Sequence, residues 1–150
     1  MRKNTSLSAY VKKRTGVPLG HNKSLPNMLS RSLGAGSFPL FWRYWNPIWS
    51  YYLSRFITRP VNKHFPMWLA IFTTFLVSGA LHDVAVSVIK WKFVAFFTPW
   101  FGLMGILVIT CQTLNVNYSS LPWAVRALIN ASFVLGSLFA MYALEATLFP

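Results

Sequence analysis

Thr73-Thr74-Phe75-Leu76-Val77-Ser78-Gly79-Ala80-Leu81-His82-Asp83 is an apolar run that closes on a histidine and an aspartate. Residues four apart share a helix face, so Thr74, Ser78 and His82 form a polar stripe on an otherwise apolar rod. Such a stripe is costly against lipid. An ionisable residue in a membrane helix faces a bundle interior or a wet cavity, which makes His82 a candidate functional residue. The plainer alternative is a histidine satisfied by a neighbouring hydroxyl. Asp83 points about 100° away from His82 on the helix and is expected to pair with an arginine instead.

Working outward, the 23 residues of 67–89 make a helix of about 34 Å, enough to cross a hydrocarbon core of roughly 30 Å. Segment 93–114 is a second candidate span, bent at Pro99, and 124–149 a third. Lys90 and Lys92 mark the first turn and residues 115–122 the second. Arg126 and Glu145 lie near the ends of the third span, where they can reach an interface. The expected fold is therefore all-α: an integral membrane protein with about three transmembrane helices. Composition agrees, since 55% of the 150 residues are hydrophobic and only 11% are charged, which is not the balance of a soluble domain.

The net charge of +12 is unevenly placed. All 14 basic residues except Lys90, Lys92 and Arg126 precede Phe65, which predicts a cytoplasmic N-terminus. Lys90 and Lys92 then fall on the outer side, a tension removed if the His82 helix does not fully cross. Nucleic acid is not an expected partner, because the basic residues are interleaved with aromatic runs and no recognition module is present. The single cysteine, Cys111, excludes an internal disulfide, and His21, His64 and His82 are too scattered to suggest a metal site. The first 30 residues lack the apolar core of a signal peptide, so insertion is expected to rely on internal segments.

Residues 1–36 read as a loose, basic, polar cytoplasmic segment with a short helix around 27–33, and 37–150 as the membrane domain. Within the latter, Arg43, Asn46, Ser50, Ser54 and Thr58 fall at helical steps of three and four, opposite a wide aromatic face. Trp and Tyr prefer headgroup depth and Arg55, Arg59 and Lys63 can snorkel, so this segment is expected to be an interfacial amphipathic helix lying along the membrane surface. At Asn46-Pro47 the helix must break. Asn46 is then an N-cap with Pro47 at the first helical position.

Phe41-Trp42-Arg43-Tyr44-Trp45-Asn46, followed by Phe75-Leu76-Val77-Ser78-Gly79-Ala80-Leu81-His82-Asp83, resembles the membrane-bound O-acyltransferases, wax-synthase-like members in particular. In that family a Phe-Trp-Arg-x-Trp-(Asn/His) stretch precedes a membrane helix bearing Ser-Gly-x-x-His. The resemblance covers 37–89, including the connection Phe56-Ile57-Thr58-Arg59-Pro60-Val61, and reaches the later spans only by hydropathy. It implies transfer of an acyl group from a thioester donor, acyl-coenzyme A or acyl-carrier protein, to a hydroxyl acceptor, with no permanently bound cofactor. His82 and Asn46 carry over as catalytic residues, and Arg43, Trp45 and Ser78 as candidate substrate-binding residues. A neutral imidazole can take the alcohol's proton, a buried site excludes water, and an asparagine can orient the acceptor or donate to the oxyanion. Arg43, Arg55, Arg59 and Lys63 would attract the donor's phosphates or an acidic carrier.

Family members run to several hundred residues and build their chamber from helices that precede the first motif. A chain of 150 residues would need a homo-oligomer or a membrane protein partner to complete it, or would serve as a non-catalytic membrane scaffold. For the scaffold, Gly102 with Gly105, or Gly136 with Ala140, offers close helix contact.

Overall fold

A computed structural model describes residues 5–148, and every regular element among them is helical. In chain order these are α1 (Leu7–Thr15), α2 (Ser24–Leu33), α3 (Phe38–Tyr44), α4 (Pro47–Leu53), a π-helical turn (Ser54–Thr58), α5 (Arg59–Asn62), α6 (Met67–Lys90), α7 (Phe97–Thr113) and α8 (Trp123–Leu148). The start signals are the ones the side chains provide. Ser6 accepts from the Ala9 amide, Ser37 from that of Leu40 and Asn46 from that of Trp49, and Pro47 takes the first helical position where its missing amide costs nothing.

The loose segment expected over 1–36 is, from α1 onward, a packed pair of helices. Val11 and Thr15 are buried, the Asn27 side chain donates to the Thr15 carbonyl at 2.9 Å, and Arg31 donates to the Arg14 carbonyl at 2.9 Å. Carbonyls at the C-terminal end of α1 thus take up basic and amide side chains that composition assigned to solvent. Tyr10 closes the contact from the other side, its ring 5.4 Å from that of Tyr51 in α4.

Residues 47–62 form a continuous helical stretch interrupted by the π turn. Pro60 is the physical cause. Its ring has no N–H to bond Phe56 and would collide with that carbonyl in a regular α-helix, and the wider turn relieves both. The π turn and α5 pack on α6, whereas α4 packs chiefly on the π turn and on α1. The polar side of the stretch faces α6, while Ile48, Tyr52 and Phe56 are exposed.

The most extensive packing joins α6 to α7. Small residues make it possible: a Cβ on Gly105 would sit 3.0 Å from Phe75 Cβ and one on Gly102 3.0 Å from Leu76 Cδ2. These glycines are spent inside the chain, so they are not the partner-facing pair envisaged for a scaffold. Phe38, Phe41, Val108 and Cys111 form the core beneath, and Phe38 stacks on Phe133 of α8 at 4.6 Å. Asn130, fully buried on α8, donates to the Leu33 and Ala35 carbonyls at 2.8 and 2.9 Å and accepts from the Tyr118 hydroxyl at 2.7 Å.

Two helices, α6 and α8, are long and apolar enough to cross a membrane, and α7 is an apolar helix of 17 residues. The second expected span is shortened at its start because residues 93–96 are used in the turn. There the Val94 amide donates to Ser87 Oγ at 2.8 Å, and the Phe96 amide to Asp83 at 2.9 Å.

Candidate functional site

The two polar stripes read from the sequence, one on residues 43–58 and one on α6, face each other across a single cavity of about 560 Å³. Arg43, Asn46, Ser50, Ser54 and Thr58 line one side, and Thr74, Ser78 and His82 the other. The volume falls within the range of small-molecule sites. Two contacts set its shape. Thr58 and Thr74 hydroxyls meet at 2.8 Å, holding the π turn against α6. Beyond them the chain parts from α6, and the Trp49 indole bridges the gap by donating to Ser78 Oγ at 2.9 Å.

His82 Nδ1 lies 2.6 Å from the carbonyl oxygen of Ser78, one turn back on its own helix. A carbonyl can only accept, so Nδ1 carries the hydrogen, and in the neutral ring Nε2 bears the lone pair. Among the described residues nothing hydrogen-bonds to Nε2. The ring is held by aromatic neighbours, edge-on to Trp49 at 6.0 Å and tilted on Phe101 at 5.0 Å and Phe97 at 5.8 Å. It is a half-buried, oriented imidazole with an unspent basic nitrogen.

Asn46 combines two roles. Its backbone is left-handed, with φ 38°, and its Oδ1 caps α4 by accepting from the Trp49 amide at 3.2 Å. Only the oxygen is used, so its amide N–H groups are free to donate toward the cavity it lines. Trp45 and Arg43 line the same space, so all five sequence-proposed site residues border it. Arg55, Arg59 and Lys63 do not; the Arg55 guanidinium instead donates to the Tyr51 hydroxyl at 2.9 Å.

Asp83 has no arginine. Its Oδ1 accepts from the Phe96 and Phe97 amides at 2.9 and 2.8 Å, and its Oδ2 from the Thr98 amide at 2.8 Å and hydroxyl at 2.6 Å. The carboxylate caps the N-terminus of α7 from a neighbouring helix, where unsatisfied amides and the helix dipole favour negative charge. This pairs α6 with α7 and fixes Phe97 and Phe101 beside His82. An acidic residue about two helical turns before the end of an apolar helix, with Thr98-Pro99 across the next turn, was the available signal, since a buried carboxylate needs donors and the start of a helix supplies them.

Sequence reasoning also passed over Arg14 and Trp42, both of which line the cavity. Arg14 Nε donates to the Arg43 carbonyl at 2.9 Å, and its guanidinium carbon lies 3.6 Å above the Tyr10 ring. Burial lowers the pKa of Arg14, with the neighbouring Arg43 charge adding to the effect. Trp42 Nε1 is buried without a hydrogen-bond partner among the described residues. No three His, Cys, Asp or Glu side chains among those residues come together as a metal site would require. No protein-family model matches the chain, and no curated protein or solved structure is significantly similar to it.

Proposed function

We propose that the chain is a membrane-embedded acyltransferase-like protein, in which His82 is the general base for attack of a hydroxyl acceptor on a thioester donor. The observation that carries this reading is the orientation of His82: Nδ1–H is committed to the Ser78 carbonyl, and Nε2 is unpaired beside a cavity large enough for a substrate. Nε2 takes the alcohol's proton as its oxygen bonds to the thioester carbon. The proton then passes to the departing thiolate as the C–S bond breaks. Asn46 N–H groups donate to the oxyanion that forms between these steps, and the aromatic walls limit competing water.

The membrane setting is supported by what the helices leave bare. Val84, Val88 and Ile89 on α6 and Leu128, Leu135 and Phe139 on α8 are all more than half exposed. An apolar surface of that extent calls for lipid or a partner. In this reading α7 completes three spans, the basic N-terminal helices lie at the cytoplasmic face, and the resemblance to membrane-bound O-acyltransferases rests on the two motifs that border the cavity. A non-catalytic membrane subunit is the second reading. Gly136 favours it, because its face of α8 is open and can admit a partner helix.

The test is acyl transfer from radiolabelled acyl-coenzyme A, and separately from acyl-carrier protein, by purified protein supplied with source-cell membranes as acceptor pool. His82→Ala should lower transfer at least about 100-fold while membrane insertion and thermal stability persist. Absence of transfer by folded wild type with both donors overturns the enzyme reading and leaves the subunit.

A further inference from the structure

We infer that Arg14 and Arg43 form a phosphate-binding site at the cavity, which takes the phosphate of an amphipathic ligand whose apolar chain runs between α4 and α6. This rests on the cavity holding a ligand, not on acyl transfer itself. The first ground is unpaired charge. The chain has 2 acidic side chains against 14 basic ones. Asp83 is occupied by the α7 amides, and Glu145 is an exposed residue near the end of α8. Neither neutralises two guanidiniums that border the same cavity.

The second ground is preorganisation. Arg14 is held by the Arg43 carbonyl on Nε and by the Tyr10 face beneath, and its own carbonyl is fixed by Arg31. With Nε–H bonded to the Arg43 carbonyl and the Tyr10 side chain against the guanidinium, the Nη groups are held in a fixed plane, the geometry that matches phosphate oxygens. The third is the apolar share of the lining. Besides the arginines and the polar stripe, the lining includes Met67, Ile71, Phe75 and Val108, with Gln112 beside them on α7, and the four apolar side chains offer an alkyl chain contact. The ligand class is therefore an alkyl or acyl chain joined to a phosphate, whether on a lipid headgroup or on a coenzyme-type carrier. The basic helix α1, which lies outside the motif-bearing region, acquires a role as part of the site.

The probe is chain-brominated dodecyl phosphate added to the full chain in non-ionic detergent, read by quenching of tryptophan fluorescence, since Trp42, Trp45 and Trp49 line the cavity. Saturable binding at least tenfold tighter than that of brominated dodecanol is expected. Arg14→Gln and Arg43→Gln should each weaken it about 10- to 100-fold, the worth of a hydrogen bond to a charged group. Arg55→Gln removes the same charge outside the cavity and should leave affinity unchanged. Arg14→Lys should recover part of the loss, and thermal unfolding of each variant separates a lost site from a lost fold. Displacement by coenzyme A assigns the phosphate to the donor, and displacement by lysophosphatidate alone assigns it to a lipid headgroup. Displacement by neither, equal affinity for the alcohol, or an Arg55→Gln effect as large as that of Arg14→Gln overturns the inference. Binding is read here without any acyl transfer, so this site and the acyl-transfer reading can fail independently.

Discussion

Replacing Asp83 should loosen α7 more than its single carboxylate suggests, because that side chain accepts four hydrogen bonds at the start of another helix. Asp83→Asn keeps the shape and leaves Oδ1 for the Phe96 and Phe97 amides. Its new NH₂ faces the Thr98 amide, donor against donor, while the Thr98 hydroxyl can rotate to accept. The loss is one charge-assisted bond with an orphaned amide, about 2 kcal/mol, plus roughly 1 kcal/mol for the charge removed from the helix N-terminus. Asp83→Ala strands all three amides and should cost about 4 kcal/mol or more, placing it among the most damaging single changes. At roughly 2–4 °C per kcal/mol for a chain of this size, the asparagine variant should unfold about 6–12 °C below wild type in detergent. Thr98→Val, which removes only the hydroxyl bond, should fall between wild type and Asp83→Asn. An Asp83→Asn protein as stable as wild type, or an alanine variant more stable than the asparagine one, would refute the capping argument.

The glycines give a paired test. A Cβ at Gly79 would lie 2.6 Å from the Phe97 carbonyl oxygen and 2.7 Å from Thr98 Cα, both backbone atoms, so Gly79→Ala must push α7 away at a cost of about 1–3 kcal/mol. Gly136 has nothing within 4 Å, and Gly136→Ala should be neutral or up to about 1 kcal/mol stabilising, read in the same melts. Alkaline stability should report on Tyr118, whose hydroxyl donates to Asn130 and whose pKa is pushed up to about 12, mainly by burial. The unfolded phenol ionises near about pH 10, so between pH 10 and 12 the unfolded state binds fewer protons and stability falls as pH rises. Tyr118→Phe should flatten that fall in denaturation midpoints measured from pH 8 to 12.

The sequence made the local rules legible and left the pairings hidden. Asn46-Pro47 announced its own cap, because an N-cap is decided within four residues, and the long apolar runs announced α6 and α8 by length alone. Periodicity placed Thr74, Ser78 and His82 on one face and Arg43 through Thr58 on another. It says which residues share a face, not which faces meet, so the cavity between them was out of reach. Asp83 and Asn130 illustrate the same limit. Asp83's partners are 13 to 15 residues away, and Asn130's are 12, 95 and 97 residues away, and no local spacing encodes them. Of the N-terminal helices, α2 was foreseen in part by the short helix around 27–33, and α1 escaped notice for a different reason. Basic composition reads as solvation, but a basic side chain bonded to a helix-end carbonyl is as well satisfied as one in water, and only the packing of Val11 and Thr15 distinguishes the two.

The choice between an enzyme and a structural subunit turns on which polar groups the fold leaves unused. A stripe that served packing alone would be satisfied along its whole length. Thr74 is: it bonds to Thr58 and to the Ala70 carbonyl. Ser78 is as well, through Trp49, and so is His82 Nδ1. Arg126 Nε is buried without a partner elsewhere, but the groups left unspent around the cavity differ in kind: an acceptor at His82 Nε2, donors on Asn46, and two guanidiniums at Arg14 and Arg43. Asn46 and Arg43 are exposed and Arg14 and His82 half-buried, so water can satisfy them in the free protein; what favours a ligand is that a base, neutral donors and cations meet at one void. A substrate with an acidic proton, a carbonyl and a phosphate would engage each of them in turn. The positions follow the same logic. Trp49 and the α7 aromatics hold the imidazole still, Asp83 holds α7 in place, and α1 brings Arg14 to the cavity where the resemblance alone implied helices from elsewhere.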